Sequence, residues 1–193
     1  MTISPSLTVD TLAGSGAADG VVIRSDLLPP NTHGSNLRGI FKNTKIWDAL
    51  RIPVCARAQN LCEICGTETM RSGKPGRPDC HEKWVFELQG PHPVQRLARL
   101  IALCPACHEV QHCGLARVRG RQDHVIAHLC RLNHWTPEQA RADLQRSSDR
   151  CWQLEQTQWH LDLQVLHGQI EIPGFPTLQI PADRRHELGN SMQ

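Results

Sequence analysis

The stretch 103-LCPACHEVQH-112 packs two cysteines and two histidines into one short run. Whether they hold one ion or divide between two decides how the chain around them is read. A Cys-x-x-Cys turn offers two thiolates to one ion, and zinc takes four soft or borderline ligands in a tetrahedron. Upstream, 61-LCEICG-66 supplies a second such turn, with Gly66 free to take the backbone conformation the turn needs. Cys62, Cys65, Cys104 and Cys107 together complete a thiolate site, and the cofactor expected there is structural zinc (Zn2+). His108 and His112 are then left over. They lie four residues apart, on one face of the short helix expected after the second turn, and suit a second, more open metal ion.

Between the two turns, 80-CHEKWVFEL-88 is rich in strand formers and reads as a strand carrying His81 and Glu82. A two-stranded ribbon followed by a helix, pinned at its ends by zinc, would hold His81 or Glu82 against His108 and His112. The polar stretch 66-GTETMRSGKPGRPD-79 is punctuated by Gly and Pro and reads as a loop. Trp84 is expected in the core. Cys113 reads as a buried free thiol, and Cys55, Cys130 and Cys151 as core.

Around this centre the chain is organised simply. Residues 1–35, rich in Ser, Gly, Thr and Pro, read as a flexible tail. In 44-TKIWDALRIPVCARAQN-60 the apolar spacing suggests a short helix, a break at Pro53 and a second turn. No breaker interrupts 108-HEVQHCGLARV-118 before Gly114, and 122-QDHVIAHLCRLN-133 is amphipathic at helical spacing. Within the latter, His124 and His128 share a four-residue spacing without a partner cluster and read as a solvated face. Thr136, Pro137 and Gln139 form a capping box with proline at the first helical position, a firm helix start. The segment 159-WHLDLQVLHG-168 reads as a strand or short helix, and the proline-rich stretch after it shows little periodicity. Trp135, Trp152 and Trp159 are expected to pack the C-terminal helices onto the metal module, whose core would be marginal without zinc.

Charge is distributed unevenly. Lys+Arg against Asp+Glu run 6 to 5 over residues 1–65, 9 to 5 over 66–121 and 6 to 9 over 122–193. The middle is net +4 and the C-terminal third net −3, which favours a polyanion partner for the middle. Arg71, Lys74, Arg77, Arg117, Arg119 and Arg121 are the candidate phosphate contacts. No stretch is long and apolar enough to span a bilayer, and the first residues lack the features of a secretory signal. Nine cysteines with two Cys-x-x-Cys pairs and no export signal point to metal rather than a disulfide framework, with the cytoplasm as the expected compartment.

Taken together, 61-LCEICG-66, 79-DCHEKWVFE-87 and 100-LIALCPACHEVQH-112 resemble the zinc-stabilised branch of the HNH nucleases, the ββα-metal fold. The resemblance covers about Cys62 to Gly120. Beyond it, 132-LNHWTPEQA-140 and 159-WHLDLQVL-166 look like the downstream part of a bacterial subgroup of these proteins. It implies structural zinc on the four cysteines, a catalytic Mg2+ or Mn2+ ion near His108 and His112, and a histidine base on the first strand. In one alignment His81 is that base and Cys80 stands where a ligand belongs. In the other His81 is the ligand and Glu82 replaces the base. The family's middle asparagine falls where this chain has Arg99.

The reading is an α+β chain: a flexible tail (1–35), a small zinc-stabilised ββα-metal, treble-clef-like domain (36–120) and a helical C-terminal extension (121–193). The expected function is metal-dependent hydrolysis of DNA. The alternatives are a catalytically inactive module of the same fold that binds nucleic acid, and a protein-interaction adaptor docking through the acidic C-terminal third.

Overall fold

The structure, a computed structural model, describes residues 20–32, 36–41 and 44–189; the tail expected at 1–19 and residues 33–35 fall outside them. The fold is mixed α+β. Two N-terminal helices, α1 (Leu37–Ile40) and α2 (Thr44–Arg57), precede a small hairpin of β1 (Met70–Arg71) and β2 (Lys74–Pro75). The long strands β3 (Asp79–Glu87) and β4 (Val94–Leu103) pair antiparallel, and α3 (Pro105–Gln111) follows. Then come α4 (Cys113–Val118), α5 (Gln122–Asn133), α6 (Pro137–Glu155), β5 (His160–Asp162) and β6 (Gln179–Ile180). The main sheet has the order β3-β4-β5-β6, with β5 parallel to β4 across the helical crossover.

Strand alternation gives the β3–β4 ribbon two faces, and each buries a different core. Cys80, Glu82 and Trp84 pair with Ala102, Leu100 and Leu97, and this face packs on α1, α2 and the C-terminal segment through Leu37, Phe41, Leu50, Leu161 and Leu178. The opposite face carries Asp79, His81 and Lys83, in register with Leu103, Ile101 and Arg99. There Ile101 and Leu103 join Cys62, Cys104, Cys107, Val110, Val125 and Leu129 in the second core. A register shift between Lys83 and Trp84 lets Leu97 and Leu100 reach the same side.

Several expectations change. Helix α2 runs unbroken through Pro53. Ala49, whose carbonyl loses its intrahelical donor to the proline, is exposed, as is Pro53 itself. The helix expected across 108–118 bends at His112 (φ −120°, ψ 40°), two residues before Gly114. The capping box at Thr136 forms as expected, with Gln139 N donating to Thr136 Oγ1 and Thr136 N donating to Gln139 Oε1. Residues 121–193 are more than an appended extension, because β5 and β6 complete the sheet. Trp159 is buried and meets Phe86 edge to face, whereas Trp152 stands 66 % exposed on α6 and packs nothing onto the metal module.

Residues 20–32, expected as part of the tail, are built into the fold. Asn133 Oδ1 accepts hydrogen bonds from Val22 N and Ile23 N, and its Nδ2 donates to Ile23 O. Asp143, buried on α6, accepts from Ser25 N and Ser25 Oγ at 2.7 Å and pairs with Arg24 and Arg146. Asn cannot reproduce an acceptor-only carboxylate at this junction. Asp143→Asn is therefore expected to cost about 2–3 kcal/mol, since a buried acceptor set is broken while the arginines keep some solvent. Denaturant titration checks it, and a change within error would show that the strap contributes little.

Candidate metal centre

The first Cys-x-x-Cys turn is closed locally. Cys62 N donates to Thr67 O and Gly66 N to Cys62 O, with Gly66 at φ +68°. Glu63 then clamps the turn to the end of β4: its backbone N donates to Ala102 O, and its carboxylate accepts from Ala102 N at 2.6 Å. Two residues on, Cys104 caps α3, with Pro105 opening that helix. The ligand atoms of Cys62, Cys65, Cys104 and Cys107 thus lie within 4.8 Å of one another, a set that could bind a metal such as zinc. Hydrogen bonds from the Cys107 and Cys62 sulphurs hold the Cys104 thiol down to about 3, while the same sharing pushes Cys107 up. So many sulphurs this close cannot all be thiolates unless a cation lies among them. The donor set fits one.

The second group is built between β3 and α3. His81 projects from the strand face that meets the helix; His108 and His112 project toward it one turn apart. The ring centroids lie 5.3 Å (His81–His108), 5.0 Å (His81–His112) and 4.6 Å (His108–His112) apart, all edge to face. Their ligand atoms also fall within 4.8 Å of one another. Burial, then the neighbouring rings, holds His81 well below the usual histidine range, and burial with His108 brings His112 down to about 4. Neutral imidazoles keep their lone pairs for a metal. The three histidines fit an ion.

Two flanking contacts escaped the sequence reading. His108 Nδ1 lies 3.4 Å from Asp79 Oδ2, and Arg71 pairs with the other oxygen of that carboxylate. A carboxylate on one ring nitrogen orients the other toward a metal. Burial raises the Asp79 carboxyl, but His108 and Arg71 outweigh it and hold the group below its usual range. On the other flank Lys83 Nζ donates to Gln111 Oε1 at 2.7 Å. Residues 79, 81 and 83 thus pair in order with 108, the 108/112 couple and 111. Strand alternation was the signal for Asp79 and Lys83, since both sit two residues from His81.

No family model, curated protein or solved structure matches this chain.

Glu82 is not brought to the histidines. It lies on the opposite strand face, where Oε1 accepts from Leu37 N at 2.9 Å and Oε2 from Trp84 Nε1 at 3.1 Å. Burial, only partly offset by these bonds, raises its carboxyl to about 7. Arg99 pairs with Glu63 at 3.7 Å, beside the cysteine turn. His128, expected on a solvated face, is buried, and its Nε2 sits 3.2 Å from Cys107 Sγ; His124 is exposed as expected. Cys113 is a buried free thiol, as expected, with its sulphur on Asp26 O.

A substitution separates the two roles open to Glu82. Glu82→Gln keeps the side chain's size but turns an acceptor into a donor against Leu37 N or Trp84 Nε1. It is expected to lower stability by about 1–3 kcal/mol while leaving metal uptake by the histidines unchanged. Loss of that uptake with intact stability would return Glu82 to the metal site.

Proposed function

We propose that the chain is a metal-dependent HNH-type endonuclease acting on DNA, with structural zinc on Cys62, Cys65, Cys104 and Cys107. The observation that carries this reading is the histidine trio of His81, His108 and His112, held between a strand and a helix directly beside the cysteine cluster. In it His81 is a metal ligand rather than the base, and Glu82 supports α1 instead of activating water. The nitrogen-only donor set suits a later first-row ion such as Ni2+ or Zn2+; Mn2+ tolerates it better than Mg2+, though both prefer oxygen ligands. When bound, such a cation supplies charge relief at a phosphodiester's leaving oxygen. Asp79 keeps the His108 ring turned toward the ion, and Lys83 adds positive charge on the same strand face.

Among the candidate phosphate contacts, Arg71 is engaged with Asp79 and Arg121 with Glu109. Lys74, Arg77, Arg117 and Arg119 are exposed and make no ion pair among the described residues. Neutralising Lys74 and Arg77 is expected to flatten the salt dependence of duplex binding, by about 0.9 of a log–log unit for each phosphate the variant no longer neutralises. An unchanged slope would show that these charges only face water.

The deciding experiment is nicking of supercoiled plasmid by zinc-replete protein with added Mn2+, Ni2+ or Mg2+, and with chelator as control. Metal-dependent nicking supports the reading; none on any DNA or RNA refutes it. The second reading, a nucleic-acid-binding module without catalysis, is favoured by one observation: the base position of the family pattern is spent in the core as Glu82. Binding without cleavage would select it. No helix among the described residues is long and apolar enough to cross a membrane. The cytoplasm is the proposed compartment, because four cysteines that hold zinc must be kept reduced.

A further inference from the structure

His128 lies on α5, which packs against α3, and its ring is buried beside the cysteine cluster. The Arg131 guanidinium, one turn further along, places NH2 3.0 Å from His128 Nδ1. A guanidinium carries donors and no acceptor, so Nδ1 must offer a lone pair. A neutral imidazole has a single N–H, which therefore sits on Nε2. That nitrogen is 3.2 Å from Cys107 Sγ. The sulphur is the acceptor.

We infer that His128, fixed in one tautomer by Arg131, is a positioning residue that donates a hydrogen bond to the Cys107 thiolate of the four-cysteine site. The inference rests on reading that site as a zinc site. Four thiolates around a divalent cation leave a net charge of −2 in a low-dielectric core, and a donated N–H offsets part of it. The bond also occupies a lone pair on Cys107, making that sulphur less available to electrophiles and oxidants. Outer partners of this kind are typically worth roughly 10–100-fold in metal affinity.

Isotope-labelled, cadmium-substituted wild-type protein gives the direct test. An exchange-protected proton on His128 Nε2, with scalar coupling to cadmium through the sulphur, is expected. A proton on Nδ1, or no coupling while cadmium–thiolate absorption is present, overturns the inference. Absence of that absorption refutes the zinc reading itself, so the two failures are distinguishable. In chelator competition His128→Leu should bind zinc roughly 10–100-fold more weakly, whereas His128→Gln, whose amide N–H can replace Nε2–H, should stay near wild type. Unchanged affinity in His128→Leu overturns the inference. Should His128→Leu fail to fold, Arg131→Met replaces it: a weakened Nε2–H coupling is expected, and a coupling identical to wild type shows that Arg131 does not set the tautomer.

Discussion

Cys104→Ser protein is expected to lose the α3–α5 side of the molecule rather than to bind zinc a little less well. Cys104 is both a ligand candidate and the N-cap of α3; serine caps a helix well, so the substitution isolates the loss of a ligand. The core on that face sets Cys62, Cys104, Cys107 and Cys113 among nine buried aliphatic side chains. Structural zinc sites contribute apparent free energies of about 10–16 kcal/mol in small modules, whereas a whole domain has only about 5–15 kcal/mol in hand. Loss of the ion is therefore comparable with the stability of a whole domain. Far-UV circular dichroism should show helix loss, and elemental analysis should find no zinc. Cys113→Ser, altering a buried thiol outside the cluster, is the control and should retain both. A Cys104→Ser variant with wild-type zinc content and melting temperature would exclude the tetrathiolate assignment.

His112→Ala should behave in the opposite manner: zinc content and fold retained, metal-dependent nicking lost. Even an outer partner of a ligating histidine is typically worth roughly 10–100-fold, so loss of a ligand itself should lower the rate at least about 100-fold. The same is expected of His81→Ala, because the strand histidine closes the trio with His108 and His112. Asp79→Asn, which alters the contact behind His108 and the pairing with Arg71 but removes no ligand, should give an intermediate loss. If His112→Ala nicks DNA at the wild-type rate, the trio is a packing feature and the catalytic assignment falls.

Much of this arrangement could be read from the residues, because short-range rules govern it. Two Cys-x-x-Cys turns fix their own geometry, four-residue spacing aligns His108 with His112, and strand formers place His81 on a ribbon. What could not be read depends on where distant segments land. His128 looked like a surface residue because periodicity locates a helix face but does not say what packs there. Choosing between His81 and Glu82 required knowing which strand face meets α3, and neighbours on a strand always point to opposite sides. The strap at residues 20–32 reads as tail only when averaged with the polar stretch before it, since Val21, Val22, Ile23, Leu27 and Leu28 are apolar; what it docks on, Asn133 and Asp143, lies more than a hundred positions away. Trp152 shows the reverse error, an aromatic taken for core and left in water.

Cys107 and His108 are adjacent on α3, so each of the two metal groups draws on the same short helix. On the proposed reading, occupancy is therefore hierarchical. Emptying the histidine trio leaves the helix anchored, but emptying the cysteine set releases the element that holds two of the three imidazoles. On that reading, a cell short of zinc would silence the whole protein even with the second metal plentiful, whereas shortage of the second metal would leave an intact, reloadable fold.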